Sequence, residues 1–372
     1  GRLVSSDQLW SVWLVLMRAR ERDDWPEILA DIKQNGFRAV ASFDGMELDS
    51  ASEVLAGYRI GGSNGVVVSG ERTGTGAALL AGDPHLGFTA PSIWLLAGVK
   101  SPSLHVVGIM PTGLPFFALG RNPQIAWTGT SSYGVTSSFL DLSGVPDLEI
   151  TERTETIDVR FEAAPRTLSI LDSNYGPIVS GLAPIADLDL PPIALRWIGH
   201  EPSDEIGAFL RVARARNFTE FRAAFRTYAV AGMNFLYADA QGNIGEVQAI
   251  RTPQRDRLPG DTLADDIVVR PEWIAPAWEG SYDATTLPAA FNPEAGFLAN
   301  ANNRPSDDRK RIGFLFSSND RITRIKELIG ETGRVTPDTL RALQEDVYMD
   351  SSVRLRDALV VKAYKLGMLG DL

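Results

Sequence analysis

The sequence contains no cysteine and only three histidines among its 372 residues. Without cysteine there is neither a disulfide framework nor a thiolate metal site, and cysteine usage says nothing about the redox compartment. Basic residues are also outnumbered, because 36 Lys and Arg stand against 47 Asp and Glu, for a formal net charge of −11. That charge, without a dense Lys/Arg cluster, argues against a nucleic-acid partner.

Long apolar runs are lacking as well. The run Leu9 to Met17 covers nine residues, whereas a membrane-spanning helix needs about 20. We interpret it as part of a buried helix and predict no membrane partner. The length suits one large domain or two ordinary ones, and we expect the chain to be a piece of a longer protein.

One short segment, Gly61-Gly62-Ser63-Asn64-Gly65, fits two kinds of serine enzyme. It matches GxSxG, the strand-to-helix elbow of α/β-hydrolases, which requires a helix directly after the serine. It also fits a self-cleavage point between Gly62 and Ser63 that makes Ser63 a new N-terminus. The valines Val66 to Val68 favour a strand instead of a helix. The elbow stays open, although only three histidines could complete a triad: His85, His105 and His200.

Hydrophobic patterns along the chain indicate an α+β fold with a large, mostly antiparallel sheet system. A helical pattern runs from 6 to about 34, and a polar linker covers 44–53. Strand patterns bounded by turn residues follow. They lie at Val66–Ser69, Ala77–Ala81, Ile93–Val99, His105–Met110, Phe116–Leu119, Ile125–Thr128 and Thr167–Leu171, and in a hairpin of Asn234–Ala238 and Ile244–Ala249.

Capping residues predict two later helices. Asn217 with Glu220 fits a capping box for a helix Phe218–Val230. Thr336-Pro337 supplies an N-cap and a first-turn proline for a helix Thr339–Val347.

Five sequence blocks resemble the penicillin acylases, which are amidohydrolases of the N-terminal nucleophile superfamily. In the family's order they are SNGVVVSG from Ser63, GDPHLGF from Gly82, GRNPQIAWTGTSS from Gly120, MNFLYADAQGNIG from Met233 and ANNRP from Ala301. The resemblance implies an αββα sandwich of antiparallel sheets with flanking helices. It also implies that 1–62 is the C-terminal part of an α-chain-like segment and linker, and 63–372 the N-terminal part of a β-chain-like catalytic region, both from one precursor.

The resemblance further implies the chemistry at the cleavage point. Ser63 would be the nucleophile, and its own α-amine, released by cleavage after Gly62, would act as base through a water. An α-amine with an unperturbed pKa of about 7.7 to 8.0 is partly neutral near pH 7, so it can accept the hydroxyl proton. The substrate would be a small N-acyl compound. Because family members are commonly exported, a periplasmic or extracellular location is implied.

Four other residues take roles from the same resemblance. The backbone N–H of Ser131 and the side-chain amide of Asn234 would form the oxyanion hole that acyl transfer requires. His85 would contact the amine of the nucleophile, and Arg255 would support Asn234 and tune the amine. Three of them also have an ordinary alternative: Asn234 as a strand-start asparagine that bonds its own backbone, His85 as a buried core histidine and Arg255 as a solvated arginine. For Ser63 the alternative is a turn hydroxyl.

The pattern departs from the family in the segment Gly134–Ser138. Relatives that bind a structural calcium carry aspartates there, whereas Val135 and Ser138 supply no carboxylate, and calcium needs six to eight oxygen ligands. We therefore predict weak or absent calcium and no other cofactor. Gly74-Thr75-Gly76 lacks the third glycine and the strand-to-helix context of a dinucleotide site, and is interpreted as a hairpin turn.

Leu86 and Leu119 stand where members that cleave benzylpenicillin carry phenylalanine. An aliphatic wall suits an alkyl chain, since each buried methylene contributes about 0.8 kcal/mol. We hypothesise a preference for aliphatic acyl amides, with ordinary core packing of both leucines as the alternative. Two other functions stay open: a serine esterase of the α/β-hydrolase type, and a catalytically degenerate member that serves as a binding domain.

Overall fold

The computed structural model describes residues 62–87, 89–181, 191–254, 268–269, 271–307, 309–313, 316–317, 319–350 and 353. Several predictions lie outside these residues: the helical pattern at 6–34, the linker at 44–53 and the position of Arg255. The division into two chain segments at Ser63 therefore stays a prediction. None of the helices described is long and apolar enough to span a bilayer.

Strands dominate the described part of the chain. They are β1 Gly62–Val68, β2 Leu79–His85, β3 Trp94–Lys100, β4 His105–Pro111, β5 Leu119–Arg121, β6 Ile125–Ser131, β7 Ser137–Asp141, β8 Ile150–Ile157, β9 Arg166–Ser173, β10 Gly176–Pro177, β11 Ile193–Trp197, β12 Met233–Asp239, β13 Ile244–Ala249, β14 Thr252–Pro253, β15 Val268–Val269, β16 Ser281–Tyr282, β17 Ala289–Phe291 and β18 Phe297–Asn300. The α-helices are α1 Glu205–Val212, α2 Phe218–Ala224, α3 Pro271–Trp278, α4 Asp320–Glu331 and α5 Pro337–Glu345. Short 3₁₀ turns occur at Gly70–Arg72, Ile198–His200 and Phe225–Thr227.

Two antiparallel sheets pack face to face at the centre. The smaller has the order β18-β1-β2 and the larger β17-β13-β12-β6-β5-β4-β3. Val67 of β1 lies between them, in a buried cluster with Leu236, Ala238 and Ile244. The approach is close at Gly82, where an added Cβ would lie 1.8 Å from Thr128 Oγ1.

Helices cover the outer face of each sheet. Strand side chains alternate between faces, so Val66 and Val68 point away from Val67, into a cluster with residues of α4 and α5. On the larger sheet, Phe235 and Tyr237 point to the other side from Leu236, into a cluster with residues of α1 and α2. The result is a four-layer αββα sandwich, and the predicted α+β class is confirmed.

Smaller elements flank this sandwich. A three-stranded sheet of order β11-β7-β15 packs on α3 through Leu140, Ala194 and Ile274. Strands β8, β9 and β10 form a further antiparallel sheet. In the part of the chain that is described, β15 with β7 is the one parallel pairing between named strands.

Most predicted elements are confirmed, and two need correction. The helix predicted to reach Val230 ends at Ala224 and is followed by a 3₁₀ turn. Beyond the 3₁₀ turn, the N–H groups of Ala229 and Val230 donate to Glu205 Oε1 and not to helix carbonyls, so the chain is not helical at Val230. Asn217 does cap this helix, by accepting a hydrogen bond from the N–H of its third residue.

The second correction concerns the segment predicted as a strand at Phe116–Leu119. The strand there is β5, which begins only at Leu119. Phe116 and Phe117 precede it in irregular chain and are buried in the cluster under α1 and α2. Their apolar character reflects core packing and not a place in the sheet.

Strand β1 decides between the two interpretations of the GxSxG segment. Ser63 is the second residue of β1, which continues as a strand to Val68 and pairs antiparallel with both neighbours. An α/β-hydrolase elbow requires a helix at this point. The elbow interpretation is therefore wrong.

Candidate active site

Ser63 lies at the open end of the middle strand of the smaller sheet. β18 pairs with β1 only from Gly65 onward, so the backbone N–H of Ser63 is left to a side chain, and it donates to Asn302 Oδ1 over 2.7 Å. The Ser63 hydroxyl donates to the carbonyl oxygen of Gly62 over 2.6 Å. The residue is 7% exposed. The nucleophile predicted from sequence is thus buried, and its hydroxyl reaches the carbonyl group of the predicted cleavage point.

Asn302 connects the nucleophile to the larger sheet. It follows β18, is fully buried, and has a left-handed backbone with φ of 62°, a conformation that asparagine tolerates better than most residues. Its Oδ1 accepts from Ser63 N, and its Nδ2 donates to Ser131 O over 2.8 Å. One amide therefore ties the predicted nucleophile to one of the two predicted oxyanion residues.

Arg321, in the first turn of α4, contacts the same group. Its Nη1 donates to Ser63 O over 2.7 Å and to Asn64 Oδ1 over 2.8 Å. Its Nη2 donates to Asn302 Oδ1 over 2.9 Å. A planar guanidinium with several fixed donors is suited to holding three oxygens in one arrangement.

His85 lies at the end of β2, directly opposite Gly62 in the register. Its Nε2 is 3.0 Å from Asp83 Oδ2 and 3.4 Å from Asn64 Nδ2. A Cβ added to Gly62 would be 3.4 Å from His85 Nδ1. The structure therefore places His85 beside Gly62, while the Ser63 nitrogen itself is bonded by Asn302. Contact between His85 and the freed amine stays a prediction.

The two predicted oxyanion donors lie on adjacent strands. Asn234 of β12 is directly opposite Thr130 of β6, and Ser131 is the next residue along β6. The Asn234 side chain is buried, and its Nδ2 lies 3.4 Å from Thr130 Oγ1 and 3.3 Å from Asn300 Oδ1. Because Asn302 N also donates to Asn300 Oδ1 over 3.0 Å, a continuous set of hydrogen bonds joins Asn234 to Ser63.

Behind Asn300 lies an acidic group. Asn300 Nδ2 donates to Glu246 Oε1 over 2.9 Å. Burial raises the pKa of the Glu246 carboxyl, while the bond from Asn300 and the charge of Lys326 act in the opposite direction. A carboxyl thus lies two hydrogen bonds from the Asn234 amide.

The other predicted site residues lie in different surroundings. Leu119 belongs to the buried cluster under α1 and α2, whereas Leu86 follows β2 and is 43% exposed. Arg255 lies outside the described residues. In the segment Gly134–Ser138, the N–H of Val135 donates to Ile312 O, and Ser138 Oγ accepts from the indole of Trp278. The acyl and calcium predictions stay predictions.

Sequence reasoning missed Arg321, Asn300 and Thr130 as site residues, and it named Asn302 only within the block ANNRP. A single arginine in the first turn of a helix carries no sequence signal of its own. Three asparagines at and just after the end of a strand, Asn300, Asn302 and Asn303, were the available signal, since polar residues at a strand end are often placed for binding or catalysis.

Comparison with known proteins identifies the family of this chain. The family model described as penicillin amidase matches residues 5–370. The chain belongs to the penicillin amidase family. The resemblance seen in the five sequence blocks is thereby confirmed.

Relatives in this family include enzymes of two named kinds. An acyl-homoserine lactone acylase, QuiP of Pseudomonas fluorescens, is 26% identical over 96% of this chain and 44% of its own length. Penicillin G acylase of Escherichia coli is 26% identical over 76% of this chain and 34% of its own. The chain thus spans less than half the length of these relatives.

A solved structure resembles the fold. The thermostable penicillin G acylase from Alcaligenes faecalis matches with a TM-score of 0.60 and 25% identity, over 75% of this chain and 51% of that one. The similarity supports the N-terminal nucleophile hydrolase architecture described above.

Proposed function

We propose that this protein is an amidohydrolase that cleaves the amide bond of a small N-acyl substrate, with Ser63 as an N-terminal nucleophile. The observation that carries the proposal is the setting of Ser63, whose hydroxyl reaches Gly62 O while its nitrogen is held by Asn302 Oδ1. Both contacts suit a residue that must first break the peptide bond before it and then use the freed amine. The α and β chains would come from one precursor.

Self-cleavage follows from that setting. Ser63 Oγ adds to the carbonyl carbon of Gly62, and the C–N bond to Ser63 breaks, so that Gly62 becomes esterified to the hydroxyl. Water then hydrolyses the ester and leaves a carboxylate on Gly62 and a free amine on Ser63. The amine remains beside Asn302 Oδ1, which already accepts a hydrogen bond from that nitrogen at 2.7 Å.

Amide hydrolysis uses the same residue a second time. The neutral amine takes the Ser63 hydroxyl proton through a water, Oγ adds to the substrate carbonyl, and the leaving amine receives the proton. The negative oxygen formed in that step needs donors at about 2.7 to 3.1 Å. Ser131 N–H and Asn234 Nδ2 are the proposed donors, on adjacent strands one register step apart. Water then releases the acyl group from the ester.

Two further parts of the proposal concern the acyl group of the substrate and the cellular location of the protein. An aliphatic acyl preference rests on Leu86 and Leu119, and a periplasmic or extracellular location rests on the family. Comparing hydrolysis of octanoyl and phenylacetyl nitroanilides tests the first; faster phenylacetyl cleavage would reject it. Fractionation of cells that produce the full-length protein tests the second.

Intact-mass analysis of the full-length protein tests the central proposal. We expect two fragments separated between Gly62 and Ser63, and a single chain without activity for Ser63→Ala. A Ser63→Ala protein that hydrolyses acyl amides at the normal rate overturns the proposal. A stable, uncleaved wild-type chain that binds but does not hydrolyse acyl amides would favour a degenerate binding domain.

A further inference from the structure

The guanidinium of Arg321 contacts the residue that would carry the reactive amine, although it belongs to a helix remote from it in sequence. We propose, on the basis of the proposed function, that Arg321 is a positioning residue that keeps the Ser63 α-amine neutral in the processed enzyme. It would do so by placing a fixed positive charge next to the amine while holding the surrounding oxygens in place.

The geometry puts the two nitrogens on one acceptor. Asn302 Oδ1 accepts from Ser63 N at 2.7 Å and from Arg321 Nη2 at 2.9 Å. Two donors that share one oxygen at such distances lie about 4 to 5 Å apart. The second guanidinium nitrogen reaches the carbonyl of Ser63 itself, at 2.7 Å. The positive charge therefore adjoins the nitrogen that becomes the amine.

These contacts do not depend on the bond that is cut. Arg321 bonds Ser63 O, Asn64 Oδ1 and Asn302 Oδ1, and all three atoms belong to residues on the C-terminal side of the cleavage point. Gly62 merely packs against the guanidinium, since an added Cβ there would lie 3.2 Å from Arg321 Nη2. The arrangement is expected to persist after Gly62 is released.

A neighbouring positive charge determines which form of the amine is favoured. Like charges within about 4 to 6 Å disfavour the charged form of a titrating group. Arginine keeps its charge at every pH at which proteins stay folded. Arg321 therefore disfavours the ammonium and leaves the neutral amine, which is the base that the reaction needs.

Other charged groups also surround the nucleophile. Asp83 and His85 lie on β2, which pairs with β1, and Asn64 links His85 to the Arg321 contact. Glu246 on β13 reaches the site through Asn300, with Lys326 of α4 near it. These groups are the same in every Arg321 variant. A difference in pH dependence between such variants therefore reports on Arg321 alone.

The test uses the full-length protein with Arg321→Gln, Arg321→Lys and a control, Arg324→Gln. Arg324 lies one helical turn further along α4 and pairs with Asp346 at 2.8 Å, not with the nucleophile. Cleavage is followed by intact mass, and kcat/KM is measured against pH. We expect Arg321→Gln to shift the acidic limb of the plot of kcat/KM against pH to higher pH, by about one unit or more.

The lysine variant separates charge from geometry. It keeps the positive charge but not the planar fork, so we expect the acidic limb to stay near its wild-type position while kcat falls about tenfold with little change in KM. The control should leave both quantities unchanged. An unmoved acidic limb in Arg321→Gln, or equal shifts in the Gln and Lys variants, overturns the inference.

If Arg321→Gln fails to fold or to cleave, the lysine variant carries the test, and an acidic limb displaced to higher pH in that variant overturns the inference. Failure of the proposed function has a different signature. In that case the wild-type protein stays uncleaved, or its activity does not need Ser63. Cleaved, Ser63-dependent wild-type enzyme with unresponsive Arg321 variants rejects only the role of Arg321.

Discussion

The side-chain nitrogen of Asn300 donates to Glu246 Oε1 over 2.9 Å. Because a carboxylate oxygen accepts and an amide oxygen cannot donate, this bond decides which way the Asn300 amide faces. Its Oδ1 is then turned to Thr130 Oγ1 at 2.6 Å and Asn234 Nδ2 at 3.3 Å. Glu246 thus orients Asn300 directly and, through Asn300, the Asn234 amide that is proposed to stabilise the oxyanion.

Replacing that acid should loosen the orientation of both amides. Glutamine can present either its oxygen or its nitrogen to Asn300, so Glu246→Gln should weaken roughly one hydrogen bond. We therefore expect kcat to fall about tenfold, with little change in KM. Steady-state kinetics on cleaved enzyme measures this. Glu331→Gln, at the exposed end of α4, is the control. Unchanged kcat in Glu246→Gln would show that Asn300 is oriented by other contacts.

The same carboxyl predicts a pH dependence of stability. Burial raises the pKa of Glu246 in the folded state, so between the unfolded pKa of about 4.3 and the raised folded value the native state binds more protons than the unfolded state. Stability from this group is present at low pH and is lost as pH rises through that window. Urea unfolding at several pH values should show a steeper loss in wild type than in Glu246→Gln. Parallel curves would contradict the prediction.

Asn234 should matter through its amide hydrogens and not through its shape. We expect Asn234→Asp, which cannot donate from its carboxylate, and Asn234→Ala to lower kcat by about 100 to 1,000-fold. Thermal unfolding identifies losses due to misfolding. An aspartate variant with normal kcat on cleaved enzyme would exclude Asn234 from the oxyanion site.

Contact between the two sheets depends on a missing side chain at Gly82. A Cβ there would lie 1.8 Å from Thr128 Oγ1 and 2.8 Å from Thr128 Cβ. We expect Gly82→Ala to destabilise the fold by about 1 to 3 kcal/mol, the usual cost of overpacking. Gly74→Ala is the matched control, because nothing lies within 4 Å of its added Cβ. Equal denaturation midpoints for the two variants would contradict close packing at Gly82.

Much of the fold was predictable from local patterns. The valines of β1 indicated a strand after Ser63, and Thr336 with Pro337 indicated the start of α5, where the threonine side chain accepts from Thr339 N at 3.2 Å. Both signals depend on neighbours in sequence. The non-helical chain at Ala229 was not predictable, because its N–H donates to Glu205, which belongs to another helix.

The candidate site was predictable only in part. Ser63, His85, Ser131 and Asn234 came from family blocks, and the structure places them around one set of hydrogen bonds. Leu86 and Leu119 came from the same source, yet the structure places one at the surface and the other in the core. Whether two leucines line one pocket depends on side-chain directions that spacing does not determine.

The amino-acid sequence alone determined the family, the antiparallel strands and the serine at the head of β1, because these follow from residue types and short spacings. Only the tertiary structure showed which groups hold that serine: Asn302 and Arg321 lie 239 and 258 residues further along the chain. An isolated asparagine or arginine has no periodicity to read. Its partners are decided when β18 and α4 pack against β1 and bring donors and acceptors within hydrogen-bonding distance.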